Sequence, residues 1–285
     1  MKKILSVFLI AFSAVMMAKA EVEFSYEVGA EAVSSYLWRG QYLGGLSFQP
    51  NATFGFEGEH TGLQIGAWGS VGASDWMFSS LKNEDHTYFV PEVDVVGSFS
   101  FYGITLGFTH YYYCDGGNYF GWKKASEWES EDWSSATTEV QFGFDCSEFL
   151  PENHNLYANW YTMVAGNDFK YNELGGIEKQ NYSSYLEVGY DYTFEDLGLT
   201  LGGNIGMVPW ESDYYGVENF AVTNLSLRLD KEWEMDLCTL SIFAQGMINP
   251  YQLAGDKESV FVKDFGDNKI GCQSLNGTIG FGIWF

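Results

Sequence analysis

The sequence is poor in basic residues and in proline, and both shortages narrow the range of possible proteins. Only 14 of the 285 residues are lysine or arginine, against 38 aspartates and glutamates, and the formal net charge is −24. Without a basic patch to neutralise phosphates, the chain is not expected to bind nucleic acid. The five prolines leave long stretches free to form uninterrupted strands.

The four cysteines and the four histidines show no spacing typical of a metal site. Cys114, Cys146, Cys238 and Cys272 lie far apart and include no C-x-x-C pair, and the histidines are equally scattered. We therefore predict no metal ion and no bound cofactor. In an exported protein the cysteines could form one or two disulfides of undetermined pairing, or remain four separate thiols.

The only long apolar run stands at the N-terminus. Met1-Lys2-Lys3 is a basic start, residues 4–17 are mostly apolar, and Ala18-Lys19-Ala20 has the A-x-A form of a cleavage site. This predicts a cleaved signal peptide over residues 1–20 and one mature domain over residues 21–285. No later segment reaches the length of a transmembrane helix, so any membrane span must consist of strands.

Glycine and aromatic residues are abundant, and apolar residues recur at every second position. About twelve segments of roughly ten residues show this alternation, which suits strands with one lipid-facing side. The first runs from Val22 to Trp38 and the last from Leu275 to Phe285. The last segment resembles the terminal strand of bacterial outer-membrane barrels. The resemblance implies that it closes the barrel against the first strand and engages the barrel-assembly machinery through Phe285.

The connections between these segments alternate between short and long. Examples of the short ones are Tyr102-Gly103 and Glu195–Gly198, and of the long ones Asp115–Trp133 and Pro250–Lys269. Outer-membrane barrels have short periplasmic turns and long external loops, whereas a soluble sandwich has no reason to alternate. The predicted fold is all-β: one transmembrane antiparallel β-barrel of about twelve strands in meander order. We expect it in the cell outer membrane, in contact with outer-membrane lipid.

Three segments near the N-terminus carry a family resemblance. Residues 33–40 (VSSYLWRG), 46–50 (LSFQP) and 63–70 (LQIGAWGS) are similar to the TorF-type porins of bacterial outer membranes. The similarity covers roughly the first third of the chain. The insert 41–45 and the acidic loop after Cys114 depart from the family pattern. The resemblance implies an outer-membrane barrel with a porin-like role and names no solute.

The alternation also assigns one row of each segment to the barrel interior, and this row is rich in carboxylates. The pore-lining candidates are Glu27, Glu31, Arg39, Glu92, Asp94, Glu139, Glu187, Asp191 and Arg228. Carboxylates in a pore with low-dielectric walls attract cations. We therefore predict a porin-like channel for passive diffusion of small hydrophilic solutes, favouring cations and without catalysis. Alternatively, polar side chains fill the interior and the barrel conducts little.

Arg39 belongs to the family-like motif and ends the first predicted strand. Its guanidinium could fork onto an interior carboxylate and shape the mouth of the pore. A rim arginine held by a neighbouring loop acid is an equally good interpretation.

The long loop after Cys114 combines aromatic and acidic residues. Its candidate ligand contacts are Tyr119, Trp122, Trp128 and Trp133. Such aromatics can stack on sugars or cage cations, but they also form girdles at the membrane interface. An alternative function is therefore a non-conducting barrel whose external loops bind a partner or ligand.

A remote alternative is an outer-membrane lipid hydrolase that uses His110 and Ser134 on the outer wall. The sequence has no G-x-S-x-G motif and no evident acid to orient His110. An interfacial histidine among girdle tyrosines is the ordinary explanation of Thr109–Tyr113. We therefore predict that the protein is not an enzyme.

Overall fold

The computed structural model describes residues 22–72, 91–114, 119, 136–171, 177–255 and 274–285. Their secondary structure is almost entirely β. The strands are β1 (Glu23–Val33), β2 (Tyr36–Trp38), β3 (Gln41–Gly44), β4 (Ser47–Gly58), β5 (Thr61–Gly72), β6 (Glu92–Phe101), β7 (Ile104–Tyr113), β8 (Thr137–Asp145), β9 (His154–Gly166), β10 (Phe169–Tyr171), β11 (Ile177–Gln180), β12 (Ser184–Phe194), β13 (Leu199–Val208), β14 (Ala221–Glu234), β15 (Thr239–Ile248) and β16 (Leu275–Trp284). One short helix, α1 (Pro250–Gly255), and two single 3₁₀ turns complete the described elements.

Twelve of these strands form one closed antiparallel barrel, which confirms the predicted fold class. Around the wall the strands follow chain order, with the hairpins β2–β3 and β10–β11 forming separate two-stranded sheets. β1 pairs with β4 on one side and with β16 on the other. Val28 and Phe285 exchange two backbone hydrogen bonds of 2.9 and 3.2 Å. The C-terminal strand therefore closes the barrel as predicted, and no strand edge of the wall stays unpaired.

The two faces of the wall differ sharply in polarity. On β16, Leu275 and Ile279 are 67% and 62% exposed, whereas Asn276 and Thr278 are 8% and 6% exposed. Every one of the twelve wall strands carries at least one exposed large apolar side chain. An apolar belt that encircles the molecule is favourable when lipid surrounds it and unfavourable when water does. Among the described residues, no helix has the length and hydropathy needed to cross a bilayer.

The two ends of the barrel carry different connections, as the sequence predicts. At the end where β1 begins and β16 finishes, called here the turn end, the strands are joined by short turns such as Tyr102-Gly103. Both residues of that turn have positive φ angles, 47° and 77°, as a two-residue hairpin turn requires. The opposite end, called here the loop end, carries the two small hairpins, residues 209–220 and α1.

The first wall strand is shorter than the sequence predicts. The alternation runs to Trp38, but β1 ends at Val33, and residues 36–38 form β2 of a separate hairpin. Its two central residues, Arg39 and Gly40, have φ angles of 46° and 84°, which match a tight primed turn. Period-two alternation does not distinguish a wall strand from a strand folded inside the barrel, which is why the prediction ran too far.

A small apolar core fills part of the lumen at the loop end. It consists of Tyr185, Val208, Tyr215, Val217 and Ala221, with Trp38 and Tyr161 among the side chains that pack against it. These residues come partly from the wall and partly from segments that fold inward. The barrel interior at this end is therefore packed, and the packing positions the site described next.

Candidate functional site

The β2–β3 hairpin crosses the lumen from one wall to the opposite one. It leaves the wall after β1, and at its tip Arg39 contacts Glu139 on β8 and Tyr161 on β9. Around the twelve-stranded wall, β9 stands six strands from β1 in either direction. Through the Arg39 side chain, the hairpin therefore reaches the wall opposite β1.

Arg39 anchors the hairpin through a buried ion pair. Its two Nη atoms donate to the two carboxylate oxygens of Glu139 at 2.5 and 2.8 Å. Nη1 also donates to the hydroxyl oxygen of Tyr215 at 2.9 Å, and the Tyr111 hydroxyl donates to Glu139 at 3.1 Å. The side chains of Arg39 and Glu139 are only 9% and 2% exposed. Arg39 thus forks onto an interior carboxylate with the bidentate geometry that fixes position most firmly.

Aromatic rings surround the same guanidinium. Its central carbon lies 3.8 Å from the ring centre of Tyr161, 4.7 Å from that of Trp38 and 5.0 Å from that of Tyr185. Tyr215 stacks on Trp38 and on Tyr185, with ring centres 6.0 and 5.7 Å apart. Cation–π contacts strengthen when water is excluded. The rings therefore favour the docked hairpin in addition to the ion pair.

Residues 209–220 fold inward and support the hairpin tip through Tyr215. The backbone N–H of Tyr215 donates to Ser212 Oγ at 3.1 Å, and Ser212 Oγ lies 2.6 Å from Ser183 Oγ. Asp168 accepts from the Ser183 N–H at 3.0 Å and from Gln180 Nε2 at 3.1 Å. These hydrogen bonds lower the pKa of the Asp168 carboxyl, but burial has the larger effect and raises it overall. The loop-end connections thus form one hydrogen-bonded unit behind the hairpin.

Two further contacts hold the hairpin along its length. The Tyr36 hydroxyl donates to Glu92 at 3.0 Å, and Asn249 Nδ2 donates to the Gly40 carbonyl at 3.2 Å. Gly40 lies so close to β14 that a Cβ atom there would stand 1.9 Å from the Thr223 carbonyl oxygen. Only glycine fits this contact.

We therefore expect Gly40→Ala to weaken hairpin docking. The positive φ angle of Gly40 alone costs a side chain on the order of 1–3 kcal/mol, and the contact with Thr223 adds to this. Near-UV circular dichroism reports the stacked rings of Trp38 and Tyr215, and its thermal midpoint should fall. Gly45→Ala is the matched control, because a Cβ there would meet only the Tyr42 hydroxyl at 3.5 Å. Equal midpoints for the two variants would contradict the docking model.

Arg228 organises a second charged group midway along β14. Its Nε donates to both carboxylate oxygens of Asp230 at 2.8 and 3.0 Å, and its Nη2 lies 3.7 Å from Glu31. The guanidinium carbon sits 3.6 Å from the ring centre of Phe243. The Phe243 ring covers Gly280, where a Cβ would lie 2.2 Å from it. The small inner face of β16 therefore accommodates an aromatic ring.

The nine pore-lining candidates all lie in the described part of the chain. Eight are on wall strands, in the inward-facing row of their strand, and Arg39 is on the hairpin. The structure brings together Arg39 with Glu139, and Arg228 with Glu31. Glu187 accepts a hydrogen bond of 3.2 Å from the Tyr185 hydroxyl, and Glu27 is exposed near the turn end. Burial is greatest near the hairpin, where Glu92, Asp94 and Glu139 are all buried.

Of the loop candidates, only Tyr119 is described. Its carbonyl oxygen lies 2.9 Å from His110 Nε2, and its ring packs on those of His110 and Tyr112. His110 and Tyr112 belong to the outward row of β7, so Tyr119 covers the outside of the wall. Trp122, Trp128 and Trp133 lie outside the described residues.

His110 has an evident structural role. Its Nδ1 lies 2.9 Å from Thr138 Oγ1 on the neighbouring strand, and its Nε2 faces the Tyr119 carbonyl. Ser134, the other member of the hydrolase hypothesis, lies outside the described residues. Because the Tyr119 carbonyl can only accept, Nε2 carries the proton and Nδ1 accepts from the Thr138 hydroxyl. These contacts join neighbouring parts of the wall, and the hydrolase hypothesis stays untested by the described residues.

Sequence reasoning missed the tyrosines of the lumen. It assigned Thr109–Tyr113 to an interfacial girdle, yet Tyr111 is 7% exposed and donates to Glu139 inside the barrel. The alternation itself carried the signal, because Tyr111 shares the inward row with Thr109. Tyr36 and Tyr215 gave no such signal, since they reach the lumen on segments that leave the wall.

A cavity of about 430 Å³ remains beside the hairpin. The side chains that shape it are Glu31, Tyr36, Trp38, Trp68, Asp94, Tyr111, Arg228 and Phe243. It is the part of the lumen next to the hairpin that a small solute could occupy.

Comparison with known proteins finds similarity only to solved structures. No protein-family model and no curated protein matches the sequence. The chain is similar to an outer-membrane channel from Pseudomonas putida F1, with 10% identity over 93% of this chain and 94% of that one and a TM-score of 0.42. It is also similar to the NanC porin, with 8% identity over 92% of this chain and 99% of that one and a TM-score of 0.47. For the CymD monoaromatic hydrocarbon channel the identity is 10% over 97% of this chain and 90% of that one, with a TM-score of 0.39. These likenesses identify no solute, and the resemblance of the N-terminal third to TorF-type porins stays a prediction.

Proposed function

We propose that the chain forms an outer-membrane channel through which small hydrophilic solutes pass passively, with cations favoured over anions. The observation that carries this proposal is the charge of the lumen. Seven candidate carboxylates on the inward rows face two arginines, and both arginines are already paired, Arg39 with Glu139 and Arg228 with Asp230. The charge left over is negative, and a negative lumen with low-dielectric walls concentrates cations.

The location belongs to the same proposal. The apolar belt suits a lipid environment, and the short turns of the turn end suit the periplasmic side. Residues 1–20 would direct export and be removed. The barrel-assembly machinery would then recognise the C-terminal strand that ends in Phe285, and outer-membrane lipid would cover the belt.

The hairpin determines how much such a channel can conduct. It spans the lumen and is anchored by a buried ion pair, so ions must pass beside it, through the region that the cavity occupies. We therefore expect a small conductance for the wild-type barrel. Selection would follow from the width of this passage and from its charge, without chemistry.

The charge of the lumen makes a direct prediction about selectivity. In a planar bilayer with a salt gradient, the reversal potential should have the sign of cation preference. Asp191→Asn should lower the cation-to-anion permeability ratio by about five- to thirtyfold, because a charge a few ångströms from an ion attracts a cation and repels an anion by about 1 kcal/mol each in water-like surroundings. Asp196→Asn, in the exposed turn between β12 and β13, should leave the ratio unchanged. Anion preference in the wild type would refute the proposal.

A non-conducting barrel is the second candidate, and the hairpin is the observation that favours it. Because the hairpin obstructs the lumen, the barrel could serve only to present its external loops to a partner or ligand. Folded wild-type protein with no ion steps, together with a hairpin-shortened variant that also has none, would support this candidate over the channel.

A further inference from the structure

The cavity beside the hairpin is built like a binding site. Its volume of about 430 Å³ lies within the range of small-molecule sites. Two aromatic pairs form part of its wall. The ring centres of Tyr36 and Trp68 are 5.5 Å apart, and those of Trp38 and Tyr111 are 5.9 Å apart. A diffusion path has no need of paired aromatic rings, whereas an apolar or cationic ligand uses them as contact surfaces.

The charged groups of the cavity favour a cation. Glu31, Asp94 and Arg228 line it, and Asp230 binds the arginine at 2.8 Å while Glu31 stays 3.7 Å away. Arg228 is therefore largely neutralised by a residue outside the lining. The two acids in the lining have no comparably close cation among their described partners.

Asp94 provides the second, independent observation. The residue is only 5% exposed, and its Oδ1 accepts no hydrogen bond from any residue that the structure describes. A buried carboxylate oxygen without a donor is costly, and native structures rarely keep one without a reason. A cation in the cavity beside this carboxylate would offset the cost.

The cavity extends from the hairpin toward the turn end. Its lining continues from Asp94 to Val96 on β6 and from Tyr111 to Thr109 on β7, and both steps lead away from the loop end. On the loop-end side stands the hairpin with its anchored tip. A solute that enters from the turn end therefore reaches the aromatic walls and Asp94 before it meets the hairpin.

We propose that this cavity binds a small organic cation, a primary ammonium group attached to a compact apolar body. The ammonium group pairs with the Asp94 carboxylate and is attracted by Glu31, while the apolar body lies between the rings of Tyr36, Trp68 and Trp38. The inference rests on the proposed function in one respect, that small solutes enter the lumen. A bare metal ion fits less well, since no group of three metal-ligating side chains converges in the described part of the chain.

Calorimetry on the refolded full-length barrel in detergent tests the site, with phenethylammonium as the probe. Phenethyl alcohol is its neutral counterpart and phenylpropanoate its anionic one. We expect saturable binding of the cation, at least about tenfold weaker binding of the alcohol, and none of the anion, because a hydrogen bond to a charged group contributes about 1.5–3 kcal/mol. Equal affinity for cation and alcohol would overturn the proposal.

Variants locate the binding. Asp94→Asn and Trp68→Leu should each weaken the binding of phenethylammonium by about tenfold. Glu57→Gln near the turn end and Trp233→Leu on the outer face are the matched controls and should bind as the wild type does. If neither Asp94→Asn nor Trp68→Leu lowers the affinity, the ligand binds elsewhere and the proposed site is overturned. If Asp94→Asn fails to fold, as judged by heat-dependent gel mobility, Trp68→Leu decides alone.

Bilayer recordings separate this inference from the proposed function. In a conducting barrel, phenethylammonium should block the current in the concentration range of its calorimetric affinity. A barrel that conducts but neither binds nor is blocked would refute the cavity site and leave the channel standing. A barrel that binds the cation but never conducts would refute the channel and leave the site standing.

Discussion

Shortening the β2–β3 hairpin should raise the ion conductance of the barrel severalfold. The variant replaces residues 35–45 by a short glycine-serine turn between Ser34 and Leu46. Val33 and Ser47 are register partners of β1 and β4, so a tight turn can join these strands without disturbing the wall. The hairpin occupies the width of the lumen, and a twelve-stranded barrel without it is wider than the small barrels that side chains fill.

Single-channel recording in planar bilayers measures this change, and gel mobility before and after heating establishes that the variant is folded. The control shortens the other small hairpin, β10–β11, which forms its own two-stranded sheet at the loop end. There Lys170 pairs with Glu211 at a partly exposed position, and we expect no gain in conductance. A folded variant without the β2–β3 hairpin that conducts no better than the wild type would show that the hairpin does not limit the path.

Glu139→Gln should accelerate tryptic cleavage after Arg39 by on the order of a hundredfold. The substitution leaves the guanidinium buried without its carboxylate, which costs about 3–5 kcal/mol. Each step of about 1.4 kcal/mol multiplies the undocked population tenfold. Trypsin cuts only a hairpin that has left the lumen, and cleavage follows the undocked fraction when docking is fast. Mass spectrometry of the fragment that ends at Arg39 separates this cut from cuts in the external loops.

Two further variants test the physical reason for the effect. Glu57→Gln removes a carboxylate near the turn end. Trypsin should cleave this variant after Arg39 at the wild-type rate. In the double variant Arg39→Met/Glu139→Leu, no unpaired charge remains buried, so docking should be largely restored. Because trypsin no longer recognises position 39 there, the near-UV signal of the stacked rings measures it. A Glu139→Gln protein that is cut no faster than the wild type would mean that the ion pair does not hold the hairpin.

The barrel wall was predictable from local pattern. Strand alternation has a period of two, and the lipid-facing row must be apolar, so each strand carries its own signature. On β16, Ile279 and Phe281 on the outside and Asn276 and Thr278 on the inside follow this pattern. The two-residue connection Tyr102-Gly103 and the other short connections supplied the order and direction of the strands.

The sequence predicted that the candidate carboxylates point into the barrel, but it did not predict which residues they pair with. Parity puts Glu139 inside the barrel, but its guanidinium partner is 100 residues away in sequence, on a segment that alternation mistook for wall. Glu31 and Arg228 likewise meet although β15 and β16 separate their strands in the wall. Alternation within one strand contains no information about which strand stands opposite.

The sequence by itself determined a wall of about twelve strands with an apolar outside and an acidic inside, because these features follow from side chains that alternate along a single strand. Only the tertiary structure decided that the lumen is crossed by a hairpin, that Arg39 is paired with Glu139, and that Asp94 and Trp68 border one cavity. The physical reason is that these features are contacts between distant segments. Their free energy comes from burying charges and rings together, and no local period in the sequence records it.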